Sequence, residues 1–296
     1  MHRTTLVLAF LTIIVMACSP TATSDTRTLP WASTDNLEAV VAHIKAGKEA
    51  QDQGRLEDAL TEYDAAVRMG PGTSVAYLYR GHAYWELGRP TQALTDYTEA
   101  IRLNPQSPQG YDGRGDVYYT QGLYQKAIQD YTEAIRIDPQ IARAYGGRGS
   151  TYVQLGEYQR GIRDLDMALL RLPDDRRGQK SILYANRCMA YTSLIQYEEA
   201  TRDCDEAIRL DGTYALGHNN RGTLYLASGQ LAEAAVSFSK AIDLGGHLAL
   251  PYVGRAMVRT HLDDNTAASE DIARAVALGY DAERLKYAIE EIQRKR

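Results

Sequence analysis

The sequence is poor in the residues from which most active centres are built. Its 296 residues include three cysteines, and Cys18, Cys188 and Cys204 form neither a CxxC pair nor a Cys/His set at zinc-ligand spacing. A disulfide-knit scaffold and a zinc module are thereby excluded. No HExxH, GxSxG or Walker A motif occurs, and the six histidines do not pair at ligand spacing. The glycine-rich YGGRGS at 145–150 falls inside a helical pattern, where its glycines serve packing and cannot form a phosphate loop. No cofactor, no metal and no catalytic residue is therefore expected, and the chain reads as a non-enzyme. Charge of one sign is also lacking: the net charge is -5 with acids and bases interspersed, which leaves no electrostatic footprint for nucleic acid.

Long hydrophobic runs are scarce as well. The run within residues 1–17 supplies about twelve apolar residues after Arg3, too few for a bilayer core that needs about 20 in a helix. Residues 1–17 read as a secretory leader. Its end, Val15-Met16-Ala17-Cys18, resembles the lipobox of bacterial lipoproteins, in which the cysteine becomes lipidated. The resemblance implies a lipid anchor on Cys18, with several acyl chains that together hold a protein on a membrane. Ser19 after the cysteine implies passage to the outer membrane of a Gram-negative envelope, facing the periplasm. The stretch that follows, within 18–39, is rich in Ser, Thr, Asp and Pro without periodicity and reads as a flexible linker.

What the chain does have is a repeat. LTDYTEAIRLNP at 94–105 returns as IQDYTEAIRIDP at 128–139, an offset of 34 residues. Seven such units run over 40–280. The eighth place of each is small (Gly47, Gly81, Gly115, Gly149, Cys188, Gly222, Ala256), as is the twentieth (Ala59, Ala93, Ala127, Gly161, Ala200, Ala234, Ala268). Place 24 is large in most units (Tyr63, Tyr97, Tyr131, Leu165, Phe238, Ile272), and Tyr recurs at place 11. Most of the 21 tyrosines, against two phenylalanines, fall to packing on this pattern. These registers resemble the tetratricopeptide repeat (TPR) family. The resemblance implies an all-α fold, a right-handed superhelical solenoid of about seven helix-turn-helix units, closed by a C-terminal helix at 281–296. In that last segment Leu285, Ala288, Ile289 and Ile292 share a face and Asp281 can cap.

Arginine recurs at place 7 (Arg80, Arg114, Arg148, Arg187, Arg221, Arg255) and aspartate at place 23 (Asp96, Asp130, Asp164, Asp203, Asp271), with Ser237 the exception. The near one-to-one match favours an internal ion ladder over an anion-binding stripe. Cys188 and Cys204 fall at places 8 and 24 of one unit. Buried free thiols are the favoured reading there, and a disulfide stapling the unit is the other.

In the TPR family ligands lie along the inner face of the first helices. The resemblance carries that role to His82, Trp85, Asp112, Asp116 and Tyr119 in an acidic and aromatic stretch, and to Asn186, Met189, Asn219 and Asn220 in a later one, where Ile182, Leu216, Leu250 and Met257 add apolar groups. Apolar groups with interspersed amides suit an extended peptide. The expected protein is a lipid-anchored scaffold that binds protein or peptide partners in the cell envelope. The alternatives are a self-associating structural protein and a glycan- or peptidoglycan-binding module in which Trp85 and Tyr119 stack on sugars.

Overall fold

The turn chemistry of the repeat dictates the architecture. Gly54, Gly88, Gly122, Gly156 and Gly229 occupy place 15 of their units with φ between 67° and 79°. This left-handed conformation costs an L side chain but not glycine, so each one ends a helix and reverses the chain. The computed structural model describes residues 34–294 and consists, over them, of fifteen α-helices without a strand. They are α1 (Thr34–Asp52), α2 (Leu56–Met69), α3 (Ser74–Glu86), α4 (Pro90–Leu103), α5 (Pro108–Thr120), α6 (Tyr124–Ile137), α7 (Ala142–Gln154), α8 (Tyr158–Arg171), α9 (Arg177–Ser193), α10 (Tyr197–Leu210), α11 (Ala215–Ala227), α12 (Leu231–Leu244), α13 (Ala249–His261), α14 (Asn265–Ala277) and α15 (Ala282–Arg294). Consecutive helices pack as helix-turn-helix pairs. Among the described residues no helix is long and apolar enough to cross a membrane. The proposed leader and Cys18 lie outside the described residues.

One boundary differs from the sequence reading. The first helix begins at Thr34, inside the segment assigned to the linker, because Leu37 and Val40 are buried, Val40 against Ala66 and Ala76. The polar run that reads as linker is also a helix start. Before the fifth unit the spacing carries five extra residues, 176–180, and α9 takes up Arg177 to Lys180, growing to 17 residues where the first helices of most other units have 13. Ile195 replaces the turn glycine of that unit and keeps φ at 61°, an outlier for a β-branched residue. Asp263 does the same in the last unit at 63°.

The chain divides into two compact units, the first ending at Gly147 and the second beginning at Arg148. In the first, α1 with α2, α3 with α4 and α5 with α6 form hairpins, and each first helix also touches the next one. In the second, α9 with α10, α11 with α12 and α13 with α14 do so, and α15 covers α13. Leu285 and Ile289 of α15 join Val253 and Ala275 in one cluster, and the Asp281 carboxylate accepts from the Arg284 amide at 2.7 Å.

The core is a series of ring clamps. Tyr97 and Tyr131 are fully buried at place 24, and each lies between two glycines, one from its own unit and one from place 6 of the next. A Cβ on Gly115 would stand 2.8 Å from the Tyr131 ring, and one on Gly147 would stand 2.5 Å from it. Phe238 is held the same way between Gly222 and Gly254. No side chain fits at place 6 beneath these three rings, whereas Tyr63 has Tyr79 stacked on it at that place, 5.7 Å away. Where place 24 holds the smaller Leu165 or Cys204, place 6 of the next unit is Asn186 or Asn220.

Cys188 and Cys204 are disulfide-bonded across α9 and α10, with Cα atoms 5.4 Å apart. This corrects the preference for free thiols. Places 8 and 24 are in contact in every clamp, so two cysteines there meet.

Candidate functional site

Five of the six recurring arginines grip the aspartate 16 residues on. The Nε and Nη2 groups of Arg80, Arg114, Arg148, Arg187 and Arg255 donate to both oxygens of Asp96, Asp130, Asp164, Asp203 and Asp271 at 2.6–3.0 Å. Each pair links the two helices of one hairpin. Tyrosines at places 4 and 11 flank several of these guanidinium groups: Arg114 lies 5.8 Å from the Tyr111 ring and 5.9 Å from the Tyr118 ring. The hydrogen bonds to Asp130 hold the Arg114 guanidinium above its ordinary range. At Asp203 burial outweighs the pairing with Arg187, and its carboxyl titrates above its ordinary value.

The residues expected to face a ligand in the first unit turn out to be engaged within the fold. The hydroxyls of the clamped tyrosines point toward the first helices and take partners there. Tyr97 Oη lies 3.0 Å from His82 Nδ1, and Tyr131 donates to Asp116 Oδ1 at 2.7 Å. Burial drives the His82 imidazole down to about 4, so the ring is neutral at physiological pH. Asp116 also accepts from Arg143 at 2.8 Å, and Arg143 Nε stands 3.2 Å from Asp112 Oδ2. Asp112 is buried and its Oδ1 has no hydrogen-bond partner. Desolvation lifts its carboxyl to about 7, against the opposing pull of Arg143. Trp85 is half-buried and packs with Leu78, Tyr84 and Leu94 around Ala93, Tyr97 and Val117. Tyr119 lies against Tyr124, with ring centroids 5.8 Å apart and the planes tilted by 52°. His82, Asp112 and Asp116 thus belong to a polar network within the fold, in which Asp112 is buried and His82 and Asp116 are partly exposed.

That network sets a pH dependence. Asp112 titrates near 7 when folded and near 4 when unfolded, so the unfolded chain loses its proton first and stability falls as pH rises between these values. His82 acts in the opposite sense between about 6.5 and 4, where the unfolded chain binds the proton first. Below about 6.5 the two offset one another. Above it only Asp112 remains, so the denaturant midpoint is expected to fall from pH 6 to pH 8. Asp112→Asn should flatten that fall; an equal drop in the variant contradicts the assignment.

In the second unit the amides are also taken. Asn220 and Asn219 are buried, Asn220 Nδ2 donates to the Ala185 carbonyl at 2.9 Å, and Asn219 Nδ2 lies 3.3 Å from Asn220 Oδ1. Neither can hold the main chain of a partner. Asn186 is half-buried and donates to Ser150 Oγ at 2.8 Å. Sequence reasoning missed these roles because it read each place down the repeats and did not pair place 24 with place 6 of the following unit.

What stays open is apolar. Ile182, Leu216 and Leu250 share place 2 of α9, α11 and α13, three helices packed side by side. Ile182 is 44% exposed and Leu250 51% exposed. Met189 and Met257, one helical face further on at place 9, are half-buried. The equivalent places of the first unit carry Val41, Val75, Gln109 and Arg143, then Lys48, His82 and Asp116. The second unit thus carries the larger apolar groups at place 2 on three successive first helices, where the first has two valines followed by polar residues. Among the described residues no group of three or more His, Cys, Asp or Glu side chains is disposed to hold a metal.

The tetratricopeptide repeat family model matches residues 44–108, 80–142 and 113–177. Residues 44–177 match tetratricopeptide repeats. A TPR protein from Parabacteroides merdae ATCC 43184 superposes with a TM-score of 0.65 at 22% identity, covering 86% of this chain and 99% of that one. PilF of Pseudomonas aeruginosa gives 0.60 at 19% identity, over 71% of this chain and 94% of that one. At such identities the likeness is one of fold. By sequence, the small glutamine-rich tetratricopeptide repeat-containing protein 2 of Saccharomyces cerevisiae is 36% identical over 66 residues, which are 22% of this chain. The match spans only 19% of that protein's own length. Repeats of this kind form protein-interaction scaffolds and bind protein or peptide partners.

Proposed function

We propose that this chain is a non-catalytic adaptor, tethered to a bacterial membrane through lipidated Cys18, that holds an extended apolar segment of an envelope partner. The observation that carries the reading is the row of Ile182, Leu216 and Leu250, repeated once per unit across α9, α11 and α13. A peptide lying across the helices would present a side chain to each residue of the row, and Met189 and Met257 would adapt to its shape. Trp85 packs among Leu78, Tyr84 and Leu94, and Tyr119 lies against Tyr124, which argues against sugar stacking on these two rings. A disulfide at Cys188–Cys204 fits an oxidising compartment such as the periplasm, consistent with a leader and a lipobox at residues 1–18. Ser19 favours the outer membrane as the final location.

Affinity capture from the membrane fraction separates the parts of this reading. Full-length protein is expected in that fraction with its partner, and Cys18→Ser is expected to leave it. Ile182→Asp with Leu250→Asp is expected to stay, to melt as the wild type does and to lose the partner, because both side chains are already exposed. Retention of the partner by this double variant contradicts the proposed surface. Light scattering that shows concentration-dependent dimers, lost in the same variant, would move the assignment to self-association.

A further inference from the structure

The sixth unit breaks the ion ladder and leaves the Arg221 Nε without the carboxylate that its counterparts have. Arg221 stands at place 7 as in its neighbours, but the residue 16 positions on is Ser237, which is 1% exposed. In the other five units an aspartate oxygen lies 2.6–2.9 Å from the arginine Nε. Here Nε is buried and has no hydrogen-bond partner within the protein. The nearest ion pair is with Asp205, whose Oδ1 is 3.6 Å from Nη1 and whose side chain is half-exposed. The unit departs at place 4 as well: His218 stands where the second to fifth and seventh units have tyrosine. His218 is 96% shielded from solvent, its Nε2 lies 3.1 Å from the Gly212 carbonyl, and its Nδ1 has no partner.

A guanidinium does not deprotonate in a protein, so burial cannot neutralise Arg221 as it would a lysine. A mostly buried cation needs a counter-charge nearby or forfeits several kcal/mol of solvation. In the sister units that charge is the carboxylate. Replacing Asp with Ser removes one carbon and one oxygen, together with the negative charge, and leaves a hydroxyl that can donate. What remains is the unpartnered Arg221 Nε, and a buried serine at the position where the other five hairpins carry a carboxylate.

We propose that Arg221 and Ser237 bind a small monovalent anion, of chloride or formate size, in place of the missing carboxylate. Such an ion would complete the ladder reversibly and make the stability of the second unit depend on its concentration. A bulky anion is excluded by the burial of Ser237.

The test is the melting temperature of the full chain at fixed ionic strength, with sodium gluconate replaced stepwise by sodium chloride or sodium formate, for wild type and Ser237→Asp. In gluconate Ser237→Asp should melt about 2–4 °C above wild type, the size of shift that about 1 kcal/mol produces in a domain of this length. Wild type should gain saturably with the added ion and close that gap; Ser237→Asp should not respond. A response to chloride alone identifies a halide site, and a response to formate alone identifies a carboxylate site. A saturable shift of the Arg221 Nε–H resonance, absent in Ser237→Asp, should accompany the gain. Equal responses in the two proteins, or none in either, overturn the proposal.

Discussion

Tyr131→Ala should lower the stability of the first unit by about 4 kcal/mol, read from denaturant midpoints with the slope unchanged, as deletion of a fully buried ring generally does. The ring is 1% exposed and clamped between Gly115 and Gly147. Its deletion leaves two glycine backbones facing a cavity, and neither can move in to fill it without shifting a helix. Tyr131→Phe separates the ring from its hydroxyl. It should cost only about 1–2 kcal/mol, the value of the hydrogen bond to Asp116 and the desolvation left behind. A drop of less than about 1 kcal/mol for the alanine variant would mean that the clamp is not a tight contact. Since repeat stability propagates through neighbouring interfaces, hydrogen exchange should show the loss spreading into α5 and α6.

Arg114→Ala should cost about 3–5 kcal/mol, because it breaks a mostly buried pair and leaves the Asp130 carboxylate among apolar groups. Part of the loss is packing, as the guanidinium lies between the Tyr111 and Tyr118 rings. Arg114→Ala with Asp130→Ser removes the orphaned charge and should recover a measurable share. Failure of the double variant to recover anything would show that the arginine acts by packing alone. The pairing carries a sign for function too: the five arginines gripped within their own hairpins have no valence left for an anionic partner, which directs attention to the apolar face.

The repeat period, the helical hairpins and the Arg and Asp offset of 16 are visible in the sequence because they recur at fixed places, so that five independent copies agree. Features that depend on one copy were less legible. The helix start at Thr34 runs against local composition and is held by the burial of Leu37 and Val40, and Arg177 to Lys180 extend a helix whose buried residues begin at Ser181. The inner-face residues misled for a different reason. Family resemblance marks a place as facing inward, but His82, Asp112, Asp116 and Asn220 are drawn below that surface by partners on the neighbouring helices. A polar side chain on an inner helix face is a ligand group only if the fold has not already used its hydrogen bonds. The apolar row at place 2 has no such competing use.

Site-specific photo-cross-linking in intact membranes tests the adaptor reading most directly. A photoreactive residue replaces Ile182 on the row in one protein and Glu198, an exposed residue on α10 outside it, in another. The reading predicts a discrete heterologous adduct from position 182 and none from 198. Adducts of equal yield from both positions, or adducts from 198 alone, would contradict it.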